Sequence, residues 1–324
     1  MTQHAGSGVD LVLLAAPRGW CAGVERAVEM VDQELDGESS VYMRHPIVHN
    51  ERAVADLAAR GAHVVEDLTD VPSAATVVVS AHGAPPEIRR DALARGLAVV
   101  DATCPLVSKV HTEVRRFAAR GYTILIVGHH GHVEVVGTMG QAPGSTVLVT
   151  SVDDVDAVEV ADASRVAWVS QTTLSVTDAQ TIASAIRRRF PDVMEPRSDD
   201  ICYATTNRQE AVVALAERSD LVLVIGSVTS SNSMRMVERA REYGVRAELV
   251  EDAAAIAALD LTGVSTVGLS SGASASEVLV TEALAWFESE HGARVEEVRV
   301  AQEDVTFLVP APRAVSRRGP LRTR

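Results

Sequence analysis

The sequence contains only three cysteines, Cys21, Cys104 and Cys202, and they lie far apart in the chain. An odd number of widely separated cysteines does not make a disulfide framework, so we expect reduced thiols. No apolar run approaches the roughly 18 residues of a membrane span, and the opening MTQHAGSGVD lacks the basic-then-apolar pattern of a signal peptide. We therefore expect a cytoplasmic protein without a membrane partner.

Positive charge is also scarce relative to negative charge, since the formal net charge is −14 at pH 7. A field of that sign repels polyanions, which disfavours nucleic acid as a partner. Lys109 is the only lysine, and the sequence alone assigns no function to it. With 324 residues, of which 47% are hydrophobic, the chain is expected to form a globular protein of about two or three domains.

Each cysteine is followed by apolar residues at helical spacing, which predicts that it precedes or caps a helix N-terminus. The apolar positions are Val24, Ala27, Val28 and Val31; Val107, Val110, Val114 and Phe117; and Ala211, Val212, Leu215 and Ala216. Pro105 suits a first helical turn, because its missing N–H is one that a helix leaves unpaired. A strand-like apolar run follows each predicted helix, at Ser40–Met43, Tyr122–Val127 and Leu221–Ile225.

The loops after these runs are in register. His49, His132 and Ser230 each lie the same number of residues after their cysteine. Further strand-like runs, each ending in a small polar loop, lie within Thr76–Gly83, Val166–Ser175 and Ser265–Ser274. The pattern fits either three ordinary βα units or three copies of one α/β module, each of which brings a cysteine and two polar loops to a shared centre.

We favour three similar α/β modules, with small and mostly parallel sheets, around a pseudo-threefold axis. The predicted modules are 11–103, 104–201 and 202–312, the last with a closing strand. Residues 1–10 and 313–324 are predicted to be flexible ends.

Three cysteines in equivalent positions indicate a metal centre, whereas a single one is more commonly a small buried hydrophobe. A helix N-terminus lowers the pKa of a thiol and favours the metal-binding thiolate. Structural zinc needs four closed ligands, often in close pairs that are absent here, so distant thiolates fit an iron–sulfur cluster better. Three cysteines leave one iron of a four-iron cluster open to substrate. The neutral or switchable polar residues of the loops suit a small phosphorylated compound.

The chain contains several long segments with a distinctive composition. They are RGWCAGV, PIVHN, SAHG, DATCPLVSKVH, GHHGHVEVVGTMGQ, QTTLS, DDICYATTNRQEAV, SSNS and SGASA. These segments resemble those of the 4-hydroxy-3-methylbut-2-enyl diphosphate reductases, the IspH or LytB family. The similarity extends from about Leu11 to a VTFLVP strand near Pro310.

The resemblance implies a two-electron, two-proton reductive dehydroxylation that yields isopentenyl and dimethylallyl diphosphate, the last step of the non-mevalonate isoprenoid pathway. It implies that Cys21, Cys104 and Cys202 bind one [4Fe–4S] cluster. Glu134 and Thr172 match proton-relay positions, and Thr172 also contacts substrate. The implied diphosphate contacts are His49, His82, His132, Ser230, Ser231, Asn232 and Ser274. An external electron donor is implied, such as ferredoxin or flavodoxin with its reductase.

Two positions depart from the family pattern. Trp20 replaces another aromatic, and Val133 replaces a proline that would stiffen the loop of His132 and Glu134.

Structural roles are expected for five other histidines, His45, His63, His111, His129 and His130. Asp199 and Asp200 are expected to cap a helix and compensate its dipole.

Two alternatives remain. A redox sensor with an exposed cluster predicts that no substrate-sized pocket exists. A redox-neutral hydratase or dehydratase with an open iron predicts turnover without an electron donor.

Overall fold

The computed structural model describes residues 8–37 and 40–311. Their strands are β1 (Leu11–Ala16), β2 (Val41–Arg44), β3 (Ala62–Val65), β4 (Thr76–Val79), β5 (Ala98–Asp101), β6 (Thr123–Val127), β7 (Thr146–Val149), β8 (Val166–Ser170), β9 (Leu221–Ile225), β10 (Arg246–Val250), β11 (Thr266–Ser271) and β12 (Arg294–Arg299). Their helices are α1 (Ala22–Asp36), α2 (Glu51–Ala59), α3 (Pro86–Ala94), α4 (Pro105–Ala119), α5 (Val133–Met139), α6 (Val152–Ala157), α7 (Val176–Arg189), α8 (Tyr203–Ala216), α9 (Ser231–Glu242), α10 (Ala253–Ala257) and α11 (Glu277–His291).

The strands of the described residues form three small sheets, in which every strand pair is parallel. The strand orders are β3-β2-β4-β5, β7-β6-β8 and β10-β9-β11-β1-β12. The prediction of an α/β fold with three small parallel sheets is confirmed. The pseudo-threefold axis stays a prediction.

Burial explains why these segments become strands and helices. All five residues of β9 and four of the five in β6 are buried, because helices cover both faces of a parallel sheet. The apolar positions predicted for the first two cysteine-led helices, such as Val31 and Phe117, are buried in α1 and α4. In α8, Ala211, Val212 and Leu215 are buried. The helical spacing therefore identified the faces that pack on the sheets.

One strand lies in a different sheet from the one that the chain order suggests. We predicted β1 within the first module, but Leu11 pairs with Thr266 of β11 and with Arg294 of β12 in the third sheet. Strand partners depend on long-range packing, which local pattern does not encode. As a result Cys21, shortly after β1, lies where the first and third sheets meet.

The prediction for the chain ends is partly wrong. Val9, within the predicted flexible end, is fully buried, and its N–H donates to Nδ1 of His291 at 3.3 Å. Residues 305–310, the predicted VTFLVP strand, have no regular structure, and the edge strand of the third sheet is β12 instead. Residues 1–7 and 312–324 lie outside the described residues.

No helix within the described ranges is long and apolar enough to cross a membrane.

Candidate active site

The three cysteines occupy equivalent positions in the structure. Cys21, Cys104 and Cys202 are the N-cap residues of α1, α4 and α8. All three line one cavity, whose empty space measures about 670 Å³ with the open solvent at its mouth. The three sulfur-bearing side chains therefore share one concave site.

Every site residue predicted from the sequence lines this same cavity. The set comprises Cys21, His49, His82, Cys104, His132, Glu134, Thr172, Cys202, Ser230, Ser231, Asn232 and Ser274. The polar members lie in loops or first helical turns that follow the carboxyl ends of β2, β4, β6, β8, β9 and β11. Parallel sheets place their ligand sites at that edge, which explains the convergence.

The cavity wall leaves room for sulfur ligands. A Cβ atom added to Gly23 would lie 2.7 Å from Sγ of Cys104 and 3.8 Å from Sγ of Cys21. Among the described residues no group of three His, Cys, Asp or Glu side chains converges on a single metal ion. An iron–sulfur cluster is larger than one ion, and each cysteine binds a different iron, so separated sulfurs around one cavity fit a cluster.

Two of the thiols differ from the sequence prediction in their protonation. Burial raises the pKa of Cys104 to about 12 and that of Cys202 to about 11. The predicted lowering of the pKa at a helix N-terminus is therefore wrong for these two residues, because burial disfavours the charged thiolate. Binding of metal must displace these protons.

Three histidines form a cluster in the wall. The ring centroids of His49 and His82 are 4.1 Å apart, and that of His132 lies 5.4 Å from His49. Burial lowers the pKa of His49 and of His132 to about 4, and that of His82 well below its usual value. Nε2 of His49 and Nε2 of His132 are buried and find no partner within the described part of the chain. These are neutral imidazoles whose free nitrogens are available to a ligand.

The opposite wall is the first turn of α9. Ser230 caps this helix, accepting from the N–H of Ser233 at 3.3 Å. Oδ1 of the buried Asn232 has no partner among the described residues. Oγ of Ser274 donates to the carbonyl of His49 at 2.9 Å, which joins this wall to the histidines. The positive end of the α9 dipole favours an anion here.

Glu134 is buried opposite Thr172. Its Oε1 accepts from the N–H of Thr172 at 2.6 Å, and its Oε2 accepts from Oγ1 of Thr172 at 3.0 Å. Burial, with a smaller contribution from Asp200, raises the pKa of Glu134 to about 7. The carboxyl group can therefore exchange a proton near neutral pH.

Val133 does not misplace its neighbours. It is the first residue of α5, and the side chain of His132 caps that helix by accepting from the N–H of Glu134 at 3.2 Å. His132 and Glu134 both face the cavity.

The remaining candidates lie elsewhere. The five histidines with expected structural roles do not line the cavity. The capping prediction for Asp199 and Asp200 is wrong, since Cys202 is the N-cap of α8. Asp200 instead accepts from the N–H of Ser170 at 3.0 Å and from Nζ of Lys109 at 3.0 Å.

Sequence reasoning missed two residues beside the cysteines. Oγ1 of Thr205 lies 3.2 Å from Sγ of Cys202, and its N–H donates to the same sulfur. The available signal for Thr205 was its position, three residues after an N-cap, where side chains commonly bond to the cap. Gly23 is the second missed residue. Its signal was that a glycine inside a helix costs about 1 kcal/mol and suggests that another group approaches the backbone closely.

Comparison with known proteins agrees with this geometry. Residues 12–288 match the family model described as LytB protein. The 4-hydroxy-3-methylbut-2-enyl diphosphate reductase of Acidothermus cellulolyticus is 52% identical over 92% of this chain and 88% of that protein. The 4-hydroxy-3-methylbut-2-enyl diphosphate reductase 2 of Mycobacterium tuberculosis is 52% identical over 92% of this chain and 90% of that protein.

A solved structure has the same fold. The E-1-hydroxy-2-methyl-but-2-enyl-4-diphosphate reductase from Plasmodium falciparum superposes with a TM-score of 0.87 and 36% identity, covering 93% of this chain and 94% of that one. Matches of this length and identity leave one conclusion: the chain belongs to the LytB protein family.

Proposed function

We propose that this protein reduces 4-hydroxy-3-methylbut-2-enyl diphosphate to isopentenyl and dimethylallyl diphosphate, as the last step of the non-mevalonate pathway. The observation that carries the proposal is the single cavity in which three cysteines, a cluster of neutral donors and a buried carboxyl group meet. The relatives that share half of its residues are named for this reaction.

Cys21, Cys104 and Cys202 are the residues that would hold one [4Fe–4S] cluster. When bound, the cluster supplies electrons and an open iron that acts as a Lewis acid on the substrate oxygen. Gly23 keeps the space beside two of the sulfurs free. Cys202 accepts a hydrogen bond from Thr205, which stabilises its thiolate.

The diphosphate binds between the three histidines and the first turn of α9. Among the described residues, no arginine or lysine lines the cavity. The anion is therefore held by neutral imidazole, hydroxyl and amide groups together with the helix N-terminus. Nε2 of His49 is buried there without a partner among the described residues. The donor of Asn232 is its Nδ2 group, which makes a weak contact with Sδ of Met236 at 3.5 Å. Thr172 contacts substrate from the facing loop.

Glu134 supplies protons. Loss of the hydroxyl group as water requires protonation of a poor leaving group, and the reduced allyl fragment takes another proton at carbon. Thr172 Oγ1, 3.0 Å from the carboxylate, relays the proton toward the substrate. The two residues keep water out of the path between them, because both are almost fully buried.

Electrons come from an external carrier such as ferredoxin or flavodoxin with its reductase. The proposal includes a cytoplasmic location, where a reduced carrier is available. It also includes a division of the chain into three α/β modules, residues 11–103, 104–201 and 202–312. Strand β1 lies within the first of these ranges but belongs to the third sheet.

Anaerobic purification followed by spectroscopy and assay tests this function. We expect one cluster per chain and turnover that requires a reduced donor. Turnover without a donor would instead identify a redox-neutral hydratase or dehydratase. A protein that loads a cluster but binds no diphosphate in a titration would instead be a redox sensor.

Asn232→Ala is expected to raise KM about 10- to 100-fold, with a smaller change in kcat, because an anionic oxygen loses its partner at a cost of about 1–3 kcal/mol. His49→Ala should behave in the same way. Steady-state kinetics under anaerobic conditions measure both. Asn207→Ala is the matched control, since that amide donates to Glu303 outside the cavity. A KM for Asn232→Ala within twofold of the control would remove Asn232 from the binding site.

Gly23→Ala is expected to prevent cluster loading although alanine favours the helix by about 1 kcal/mol. The added Cβ would lie 2.7 Å from Sγ and 3.4 Å from Cβ of Cys104, so the thiol must move. Iron content and visible absorption after anaerobic reconstitution measure the effect. Gly37→Ala, at the far end of the same helix, is the control and should load normally. Normal loading of Gly23→Ala would show that the thiol tolerates the displacement.

A further inference from the structure

The single lysine of the chain makes three hydrogen bonds with one nitrogen. Nζ of Lys109, in the second turn of α4, donates to the carbonyls of Ser198 and Asp199, each at 2.9 Å. Its third bond goes to Oδ1 of Asp200 at 3.0 Å. An ammonium group has three donors, and all of them are used.

The three acceptors belong to the segment that leads into Cys202. Lys109 therefore joins the helix that begins at Cys104 to the residues that place Cys202. Only 1% of the Asp200 side chain is exposed, against 28% for Lys109, so the contact is largely shielded from water.

The same segment also holds the loop of the proton relay. Oδ2 of Asp200 accepts from the N–H of Ser170, the last residue of β8, at 3.0 Å. The N–H of Cys202 donates to the carbonyl of Thr172 at 3.1 Å. Thr172 in turn binds Glu134 with its N–H and its hydroxyl. One ammonium group thus connects two cysteines with the proposed acid.

The geometry explains why this position carries lysine in a chain whose other basic residues are arginine. Three acceptors, two carbonyl oxygens and one carboxylate oxygen, lie within 3.0 Å of a single nitrogen. The planar guanidinium of arginine spreads its donors over three nitrogens in one plane and suits a flat bidentate acceptor. It retains the charge but cannot reproduce this arrangement.

We propose that Lys109 is a positioning residue, whose three-donor ammonium fixes Cys202 relative to Cys104 and to the Thr172 loop. The role in catalysis rests on the proposed function, whereas the role in placing the thiol does not. The two parts are therefore tested by separate measurements.

The test compares Lys109→Arg, which keeps the charge, with Lys109→Met, which keeps the chain length. In the full chain before reconstitution, mass spectrometry follows alkylation of each cysteine separately. We expect Cys202 to react about tenfold faster in both variants, since its segment opens more readily, while Cys21 changes less than about twofold. Arg189→Met is the control, because Arg189 also donates to two backbone carbonyls, those of Val155 and Val158, in the same module.

Reconstituted protein provides the second readout. We expect faster cluster loss to a chelator under anaerobic conditions, and a kcat about 10- to 100-fold lower with KM within about twofold. A general loss of stability would instead accelerate alkylation of all three cysteines, and the proposal would be wrong. It would also be wrong if Lys109→Arg matched the original protein, since charge alone would then suffice.

If Lys109→Met does not fold, Asp200→Asn carries the test. The amide keeps the volume of the carboxylate but cannot accept from both Lys109 and Ser170, so Cys202 should react at least about threefold faster. Unchanged reactivity would overturn the proposal. If the original protein loads a cluster and lacks reductase activity, the thiol data still decide the positioning role, and only the proposed function fails.

Discussion

Replacement of Glu134 by glutamine is expected to lower turnover by about two to four powers of ten, with cluster content and substrate affinity near normal. Glutamine has the same shape, so its carbonyl accepts from the N–H of Thr172 and its amide donates to Oγ1 of Thr172. The local structure is therefore kept, and only the exchangeable acid proton is lost. Anaerobic kinetics, iron analysis and a binding titration measure the three quantities.

The pH profile gives an independent check on the same residue. Burial raises the pKa of Glu134 to about 7, so the protonated acid predominates below that pH and is depleted above it. Turnover should fall as the pH rises through about 7, and the residual activity of Glu134→Gln should lack this step.

Glu113→Gln is the matched control. Glu113 is a buried carboxylate on α4 that accepts from the N–H of Arg197 and does not line the cavity. Its replacement should leave turnover within about twofold, because no reacting group is touched. If Glu134→Gln turned over like the original protein with a full cluster, the proton would have to come from water or from the diphosphate.

Serine at Cys21, Cys104 or Cys202 is expected to abolish the cluster and, with it, turnover. The chain holds no other cysteine that could replace the lost thiolate. A hydroxyl is a poor ligand for the soft iron–sulfur core, and it stays protonated at neutral pH. Iron content, visible absorption and donor-dependent turnover all report the loss.

Circular dichroism of each serine variant serves as the control for folding. Each of the three sheets packs on apolar clusters of its own, so a change of one thiol to a hydroxyl should leave the secondary structure unchanged. A colourless serine variant that retained full turnover would contradict the iron–sulfur interpretation.

Much of the candidate site is readable from sequence because each functional residue lies at a strand or helix end. The cysteines were predicted at helix N-termini from the apolar spacing that follows them, and all three are N-cap residues. His49, His132 and Ser230 were predicted in loops after strands, and parallel sheets bring such loops together. The α/β fold class, which is confirmed, was predicted from the same alternation of strand-like runs and helical spacing.

The properties that were missed arise from neighbours distant in the chain. Asp200 looked like a helix cap, but its partners are Ser170 and Lys109. The cysteine pKa values were predicted low from the helix N-terminus, whereas burial in the folded protein raises them for Cys104 and Cys202. Local pattern contains neither long-range partners nor desolvation.

The sequence by itself predicted the element types, because periodicity and end positions are local properties of a chain. The resemblance of its segments implied the family and the set of twelve site residues, and all twelve line the cavity. Only the tertiary structure decided that β1 joins the third sheet, that Glu134 is buried against Thr172, and that Lys109 reaches the segment before Cys202. Those contacts depend on which surfaces pack together, and packing is settled by the whole fold and not by any one segment.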